Sequence, residues 1–137
     1  MSNPQILENK ISYIQKHLDI IKKYQTLNLE QLSSDFEKKT IVERELYLLC
    51  QAVIDLMEAF IAYRKFRKPL NMKDGFEILL EQKVLPPKFI VEFKKIVGFR
   101  NALAHDYEEI DLRTVVDVLQ NKVADMQFFI GEIKKGI

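Results

Sequence analysis

The stretch that decides the fold covers residues 36–65 and reads FEKKTIVERELYLLCQAVIDLMEAFIAYRK. It contains neither glycine nor proline, and either Ser34 or Asp35 can cap the first turn of a helix. Its apolar residues recur mostly at spacings of three and four, which is typical of an α-helix. The segment therefore predicts one very long helix, and Pro69 is expected to mark where it stops.

This long helix is apolar on more than one side. One stripe contains Leu46, Val53, Met57 and Phe60; a second row, formed by Leu49, Ala52, Leu56 and Ala59, widens it, while Ile54 and Ile61 lie elsewhere. A helix buried on one side needs only a single apolar stripe. The pattern favours a helix that also forms the interface of a symmetric homodimer. The alternative is a central helix in a monomeric bundle.

The remaining segments also predict helices. Helical spacing covers residues 4–26, Asn28 can cap a short piece ending at Leu32, and residues 71–82 form another short helix with Phe76, Leu79 and Leu80 inward. Pro86 and Pro87 start the next helix, and Asp111 can cap a last one over residues 112–135. Without a credible strand, the sequence predicts an all-α, up-and-down bundle of four or five helices, with residues 1–137 as a single domain.

The composition and charge of the chain argue against several classes of protein and of site. The net charge of the 137 residues is only +1, which argues against non-specific coating of nucleic acid. The single Cys50 excludes an intramolecular disulfide, suits a reducing cytoplasm and is expected to be a buried, inert thiol. The first ten residues do not resemble a signal peptide, and polar residues interrupt the apolar run 46–62, so we expect a cytoplasmic protein with no membrane span. Two distant histidines and one cysteine lack metal-site spacing, and we expect no metal or cofactor.

The candidate chemistry is concentrated in residues 100–107, which read RNALAHDY. Arg100 is permanently charged and could hold a phosphate, while His105 titrates near neutral pH and could move a proton. On a regular helix the two would lie about 140° apart. Either the helix ends near Ala104 and His105 turns back, or the long Arg100 side chain reaches around.

Each of these residues also has a simpler interpretation. His105 could be a surface histidine without a task, Arg100 could pair with a carboxylate, and Tyr107 could pack against the long helix. Asn101 lies one helical turn before His105 and could hydrogen-bond its ring, fixing the tautomer. The combination of all four favours a functional site for phosphodiester chemistry.

These residues resemble the signature of the HEPN superfamily of small helical ribonucleases. More closely, they are similar to the HepT-type toxins, whose pattern is arginine, four residues, histidine, any residue, tyrosine. Arg100, Asn101, His105 and Tyr107 occupy the matching positions, and the resemblance covers residues 4–135. It implies catalytic roles for Arg100 and His105, supporting roles for Asn101 and Tyr107, and two chains that bring their motifs together across one cleft.

The resemblance implies a metal-independent endoribonuclease that acts as the toxin of a toxin–antitoxin pair. The RNA 2′-hydroxyl would attack the adjacent phosphorus while His105 moves the proton and Arg100 holds the phosphate oxygens. It also implies a nucleotidyltransferase-type (MntA-like) antitoxin that attaches AMP to Tyr107. The alternative is a helical nucleotide- or protein-binding partner of such a transferase that does not cut RNA, and a purely structural helical adaptor is a third interpretation.

Basic residues outside the motif are candidate RNA contacts. Lys65, Arg67 and Lys68 form a cluster after the long helix, and Lys94 and Lys95 lie one to two turns before Arg100. The cluster 64–68 has a simpler interpretation as a solvated helix end, where basic side chains favour the helix dipole.

Overall fold

A computed structural model describes residues 3–105 and 110–137. Helices are the regular elements throughout this part of the chain, which confirms the all-α prediction. In order they are α1 (Pro4–Lys22), α2 (Leu29–Ser33), α3 (Phe36–Arg64), α4 (Met72–Glu81), α5 (Pro87–Ala104), α6 (Leu112–Asp117), a π-helical segment (Val118–Lys122) and α7 (Val123–Lys134).

The long helix predicted over residues 36–65 is α3. Asp35, not Ser34, caps it by accepting a hydrogen bond from the Lys38 backbone N–H. The helix ends at Arg64 because Lys65 adopts a left-handed conformation with φ of 57°. Pro69 lies further along the chain, so the prediction that proline stops this helix is wrong; the left-handed residue does.

Most of the apolar surface of α3 is buried within one chain, whereas Phe36 and Ile41 at the start of the helix are exposed. The helix packs against α1, α4, α5 and the short α2, and these neighbours enclose Ile54 and Ile61 as well as the main stripe. By length and composition alone α3 could cross a membrane, but its apolar side chains are mostly buried inside the bundle, as expected of a core helix. The all-round apolarity that suggested a homodimer is therefore explained by the central position of α3, which was the alternative interpretation.

The short helix α2 begins at its predicted cap, where Asn28 and Gln31 form a capping box. Asn71, predicted as the first residue of the next helix, is the cap of α4. Within α4, Phe76 and Leu79 are fully buried, whereas Leu80 is only partly buried. Helix α1 ends four residues earlier than its apolar spacing predicted, since residues 23–26 form turns.

The end of the bundle that carries α5 is held by phenylalanine rings. The Phe93 ring of α5 stacks on Phe76 of α4 at 5.5 Å and contacts Phe129 of α7 at 5.2 Å. Pro87 occupies the first turn of α5, as expected from its sequence position. This aromatic contact fixes α5 between α4 and α7, and α5 is the helix that carries the candidate site.

Candidate active site

Helix α5 brings both Arg100 and His105 to the surface. Arg100 lies in its last turns and is half-buried, and Ala104 is its final residue. His105 follows in an extended conformation, with φ of −96° and ψ of 108°, and is exposed. Of the two arrangements that the spacing allowed, the structure shows the one in which the helix ends at Ala104.

Arg100 is held at two of its nitrogens. Its Nε donates to Gln51 Oε1 of α3 at 2.7 Å, and its Nη1 donates to Asn101 Oδ1 at 2.5 Å. Gln51 is fixed in turn, because its Nε2 donates to Asp55 Oδ1 at 2.9 Å. A guanidinium has five N–H donors, so three remain after these two bonds, directed by a fixed group and able to bind phosphate oxygens.

The carboxamide of Asn101 supports Arg100. Its oxygen accepts a hydrogen bond from the Arg100 guanidinium at 2.5 Å, so it helps to orient the group that would bind phosphate. The Asn101 amide hydrogens are left as donors, and the expected hydrogen bond between Asn101 and the His105 ring stays a prediction.

Sequence reasoning missed Gln51 and Asp55 as parts of the site. Both are polar residues that interrupt the apolar run of α3, and from the sequence alone this interruption argued only against a membrane span. A polar residue within a long apolar helix usually needs a partner when the fold buries that helix. The interruption was the available signal, but only the packing of α5 on α3 identifies Arg100 as the partner of Gln51.

Tyr107, the third residue of the motif, lies outside the described residues, as do its neighbours at 106, 108 and 109. Its predicted supporting role and its modification stay predictions.

The basic residue Arg67 is already engaged. Its guanidinium forms a two-point contact with Asp74 at 2.8 and 2.9 Å and also pairs with Glu81 at 2.8 Å. The Arg67 hydrogen bonds lower the pKa of Asp74 to about 2 and also lower the pKa of Glu81. An RNA phosphate would have to displace both carboxylates, so the structure assigns Arg67 to closing the 65–71 connection and not to a free RNA-binding surface.

The other four candidate RNA-binding residues, all lysines, differ in whether a carboxylate already pairs with them. Lys94 pairs with Glu77 across α4 and α5, and Lys95 is mostly exposed, with its Nζ 3.5 Å from Glu92. Lys65 and Lys68 are exposed and form no ion pair within the described part of the chain. These two are the basic side chains of the 64–68 cluster that remain available for an anion.

The second histidine and the cysteine are accounted for by structure. His17 Nδ1 lies 2.5 Å from Glu45 Oε2, in a half-buried contact between α1 and α3. Cys50 is fully buried, and burial raises the pKa of its thiol to about 12, as expected of an inert core residue. Residues 3–105 and 110–137 contain no group of three or more His, Cys, Asp or Glu side chains placed to hold a metal ion.

Known proteins are similar to this chain in both sequence and fold. The chain is 31% identical over 131 residues to the mRNA nuclease HepT of Shewanella oneidensis, which covers 94% of this chain and 96% of that protein. It is 28% identical over 130 residues to the tRNA nuclease HepT of Aphanizomenon flos-aquae, covering 95% and 88%. The tri-AMPylated Shewanella oneidensis HEPN toxin, solved in complex with its MNT antitoxin, matches the fold with a TM-score of 0.85 at 30% identity, covering 97% of this chain and 98% of that one.

A family model describing HepT-like ribonucleases also matches, over residues 14–133. That range includes α3, the Gln51–Arg100 contact and the whole Arg100–Tyr107 motif. Because the match spans most of the chain and the full-length relatives agree with it, the chain belongs to the HepT-like ribonuclease family, as its motif predicted.

Proposed function

We propose that this protein is a metal-independent endoribonuclease that acts as the toxin of a toxin–antitoxin pair. The observation that carries the proposal is the fixed guanidinium of Arg100, held by Gln51 and Asn101 at the end of α5, five residues before the exposed His105. Both HepT relatives are named as RNA nucleases, which supports the same chemistry here.

The proposed reaction uses the substrate's own nucleophile. The RNA 2′-hydroxyl attacks the adjacent phosphorus, the bond from phosphorus to the 5′-oxygen breaks, and the products are a 2′,3′-cyclic phosphate and a free 5′-hydroxyl. His105 accepts the proton from the 2′-oxygen or donates one to the leaving 5′-oxygen. Arg100 binds the non-bridging oxygens as negative charge develops on them. DNA lacks the 2′-hydroxyl and should resist.

The proposed partner is a nucleotidyltransferase-type antitoxin of the MntA kind. A relative with this fold was solved AMPylated and bound to its MNT antitoxin, which supports a similar partnership. We propose Tyr107 as the modified residue. Each attached AMP adds a phosphodiester charge two residues from His105 and bulk where RNA would enter, so modification would oppose phosphate binding at Arg100.

The proposal includes a cytoplasmic homodimer in which two motifs face one RNA strand. Lys65 and Lys68 are the exposed cations proposed to contact RNA phosphates away from the cleaved bond. With a net charge of +1 for the whole chain, such local groups and Arg100 must supply the attraction for RNA.

The test is cleavage by purified, unmodified protein with EDTA present. We expect cleavage of RNA but not of a DNA of matched sequence, products that end in a cyclic phosphate, and near-complete loss in His105→Ala, since general acid–base catalysis contributes about 10²–10⁴-fold. Glu37→Ala is the control, because Glu37 is exposed in the first turn of α3, fourteen residues before Gln51 on the same helix, and the variant should retain activity. Full activity of a folded His105→Ala protein would remove His105 from the mechanism. No cleavage by folded wild-type protein would favour a non-cutting partner of the transferase.

A further inference from the structure

A cavity between α1 and α3 lies next to Arg100 and has no role in the mechanism above. Its volume of about 340 Å³ is within the range of small-molecule sites, about 300–1,000 Å³. Its lining side chains include Asn9, Lys10 and Tyr13 from α1 and Leu48, Gln51 and Asp55 from α3. Although most of these residues end in polar groups, the surface that they present to the cavity is largely apolar, as in sites for flat organic ligands.

Gln51 connects this cavity to the phosphate-binding group. Its side chain lines the cavity, and its Oε1 accepts the hydrogen bond from Arg100 Nε at 2.7 Å. A phosphate bound by the remaining donors of Arg100 would thus be one side chain away from the cavity. The base of a nucleotide next to that phosphate could therefore reach the cavity.

Tyr13 supplies an aromatic wall that is held in place. It is 42% exposed, although it lies on a helix whose other large side chains are mostly packed inward. Its ring centroid lies 4.4 Å from that of His17, and His17 is fixed by its 2.5 Å contact with Glu45. An exposed aromatic ring in a fixed orientation is the feature on which unpaired nucleobases stack.

The rim offers both kinds of hydrogen-bonding group to a base edge. Asp55 uses Oδ1 to accept from Gln51, and its other carboxylate oxygen makes no hydrogen bond to the described residues. The Asn9 oxygen accepts from Gln5 Nε2 at 2.8 Å, which leaves the Asn9 amide hydrogens as donors. Every nucleobase carries both acceptors and N–H donors, so the rim can satisfy a base that enters the cavity.

We propose that this cavity is a nucleobase subsite, in which a base of single-stranded RNA next to the scissile phosphate stacks on Tyr13 while Arg100 holds that phosphate. The inference rests on the proposed ribonuclease function, because the RNA it would bind is the substrate. A surface of the antitoxin is the competing occupant, and the connection through Gln51 to Arg100 favours RNA.

The test measures binding, so that it does not depend on cleavage. In a His105→Ala background, the Kd for a labelled single-stranded RNA of mixed sequence is measured by fluorescence anisotropy, with Tyr13→Ala and Tyr13→Phe. Phe36→Ala is the matched control, since Phe36 is 77% exposed and lies outside the cavity. The same RNA is then prepared with one abasic nucleotide, placed in turn at each position.

We expect Tyr13→Ala to raise the Kd at least about fivefold, as the loss of one stacked base does, and Tyr13→Phe to stay within about twofold. Phe36→Ala should change nothing. For the protein that keeps Tyr13, an abasic nucleotide at one position of the RNA should raise the Kd as much as Tyr13→Ala does on the intact RNA. With that abasic RNA, Tyr13→Ala should cause no further rise in the Kd, as required of two groups in contact.

Equal losses from Tyr13→Ala on every abasic RNA, or no loss on the intact RNA, would overturn the subsite. Unchanged RNA binding combined with weaker capture by the nucleotidyltransferase antitoxin would assign the cavity to that protein and overturn it as well. The two proposals can fail separately. Binding of RNA through Tyr13 without any cleavage by the wild-type protein supports the subsite and rejects the ribonuclease. Cleavage of RNA with an unchanged KM in Tyr13→Ala supports the ribonuclease and rejects the subsite.

Discussion

The guanidinium of Arg100 combines a fixed orientation with three N–H donors that make no hydrogen bond to the residues described by the structure, and a lysine cannot reproduce that combination. A lysine ammonium has three N–H donors on one atom and no planar fork, so bonds to Gln51 and Asn101 would leave a single donor for a phosphate. We expect Arg100→Lys to lower kcat/KM for RNA by about 10²–10³-fold, as the loss of a charge-stabilising donor does. Single-turnover cleavage measures this directly.

The control for that substitution is Lys88→Arg, which exchanges the same two residue types on the same helix at an exposed side chain twelve residues before Arg100. It should cleave RNA at close to the wild-type rate. Near-normal cleavage by Arg100→Lys would show that charge alone is needed at this position and that the Gln51 contact has no bearing on the reaction.

At this scale the sequence identified the candidate catalytic residues but not the side chains that hold them. Arg100 and His105 stand in a motif whose chemistry can be recognised from residue types, and their position at the end of a helix followed from spacing. The contact of Gln51 with Arg100 joins residues 49 positions apart. It depends on how α5 packs against α3, which hydrophobic periodicity does not specify.

Among the elements, the close packing of α4 on α3 depends on Gly75. A Cβ added there would overlap the buried side chain of Met57, whereas one added at Gly131 of α7 would meet nothing. Overpacking costs about 1–3 kcal/mol, more than the gain of about 1 kcal/mol from replacing glycine in a helix. We expect Gly75→Ala to lower the free energy of unfolding and Gly131→Ala to raise it, as measured by urea denaturation. Equal stabilisation of both variants would mean that Met57 has room to move.

The connection between α3 and α4 should respond to acid. Asp74 accepts from Arg67 and from the Leu70 backbone, and these contacts hold its pKa at about 2, below the usual 3.8. A carboxylate with a lowered pKa contributes stability above its unfolded-state pKa and loses it as the pH falls through the folded-state value. Asp74→Asn should therefore be less stable than wild type at pH 7, and the difference should shrink between about pH 4 and pH 2.

Urea midpoints at a series of pH values measure this difference. Glu58→Gln is the control, because Glu58 is exposed on α3 and forms no ion pair in the described ranges. A gap between wild type and Asp74→Asn that stays constant down to pH 2 would contradict the role assigned to the Arg67 contacts.

Element boundaries followed the sequence where a local cap defines them. Asn28, Asp35 and Asp111 cap helices at positions that the sequence offered as caps. The last helix was predicted as one regular unit over residues 112–135, but a π-helical segment interrupts it at Val118–Lys122. A π-helical turn is wider by one residue, and the apolar residues on either side of it still follow each other at nearly helical spacing. Hydrophobic periodicity therefore could not reveal this segment.

For the whole molecule, the proposed homodimer needs a surface other than the buried part of α3, since one chain already covers most of the apolar surface of that helix. A groove of about 440 Å³ lies between α5 and α6, on the helix that carries Arg100. Its apolar lining includes Ile96, Phe99, Ala102, Ile110 and Val118. A second copy seated there would bring its own α5, and hence its own Arg100, close to the first.

Gly98 provides the test of this dimer face, because it lines the groove and a side chain added there meets nothing in the monomer. Light scattering should give the wild type twice the mass of one chain. Gly98→Arg should give the monomer mass and lose cleavage, because it places charge and bulk in the apolar interface without disturbing the fold. Gly131→Arg, equally open but outside the groove, should remain a dimer. A dimeric Gly98→Arg would move the interface elsewhere, and a monomeric, active wild type would show that one motif is sufficient to cut RNA.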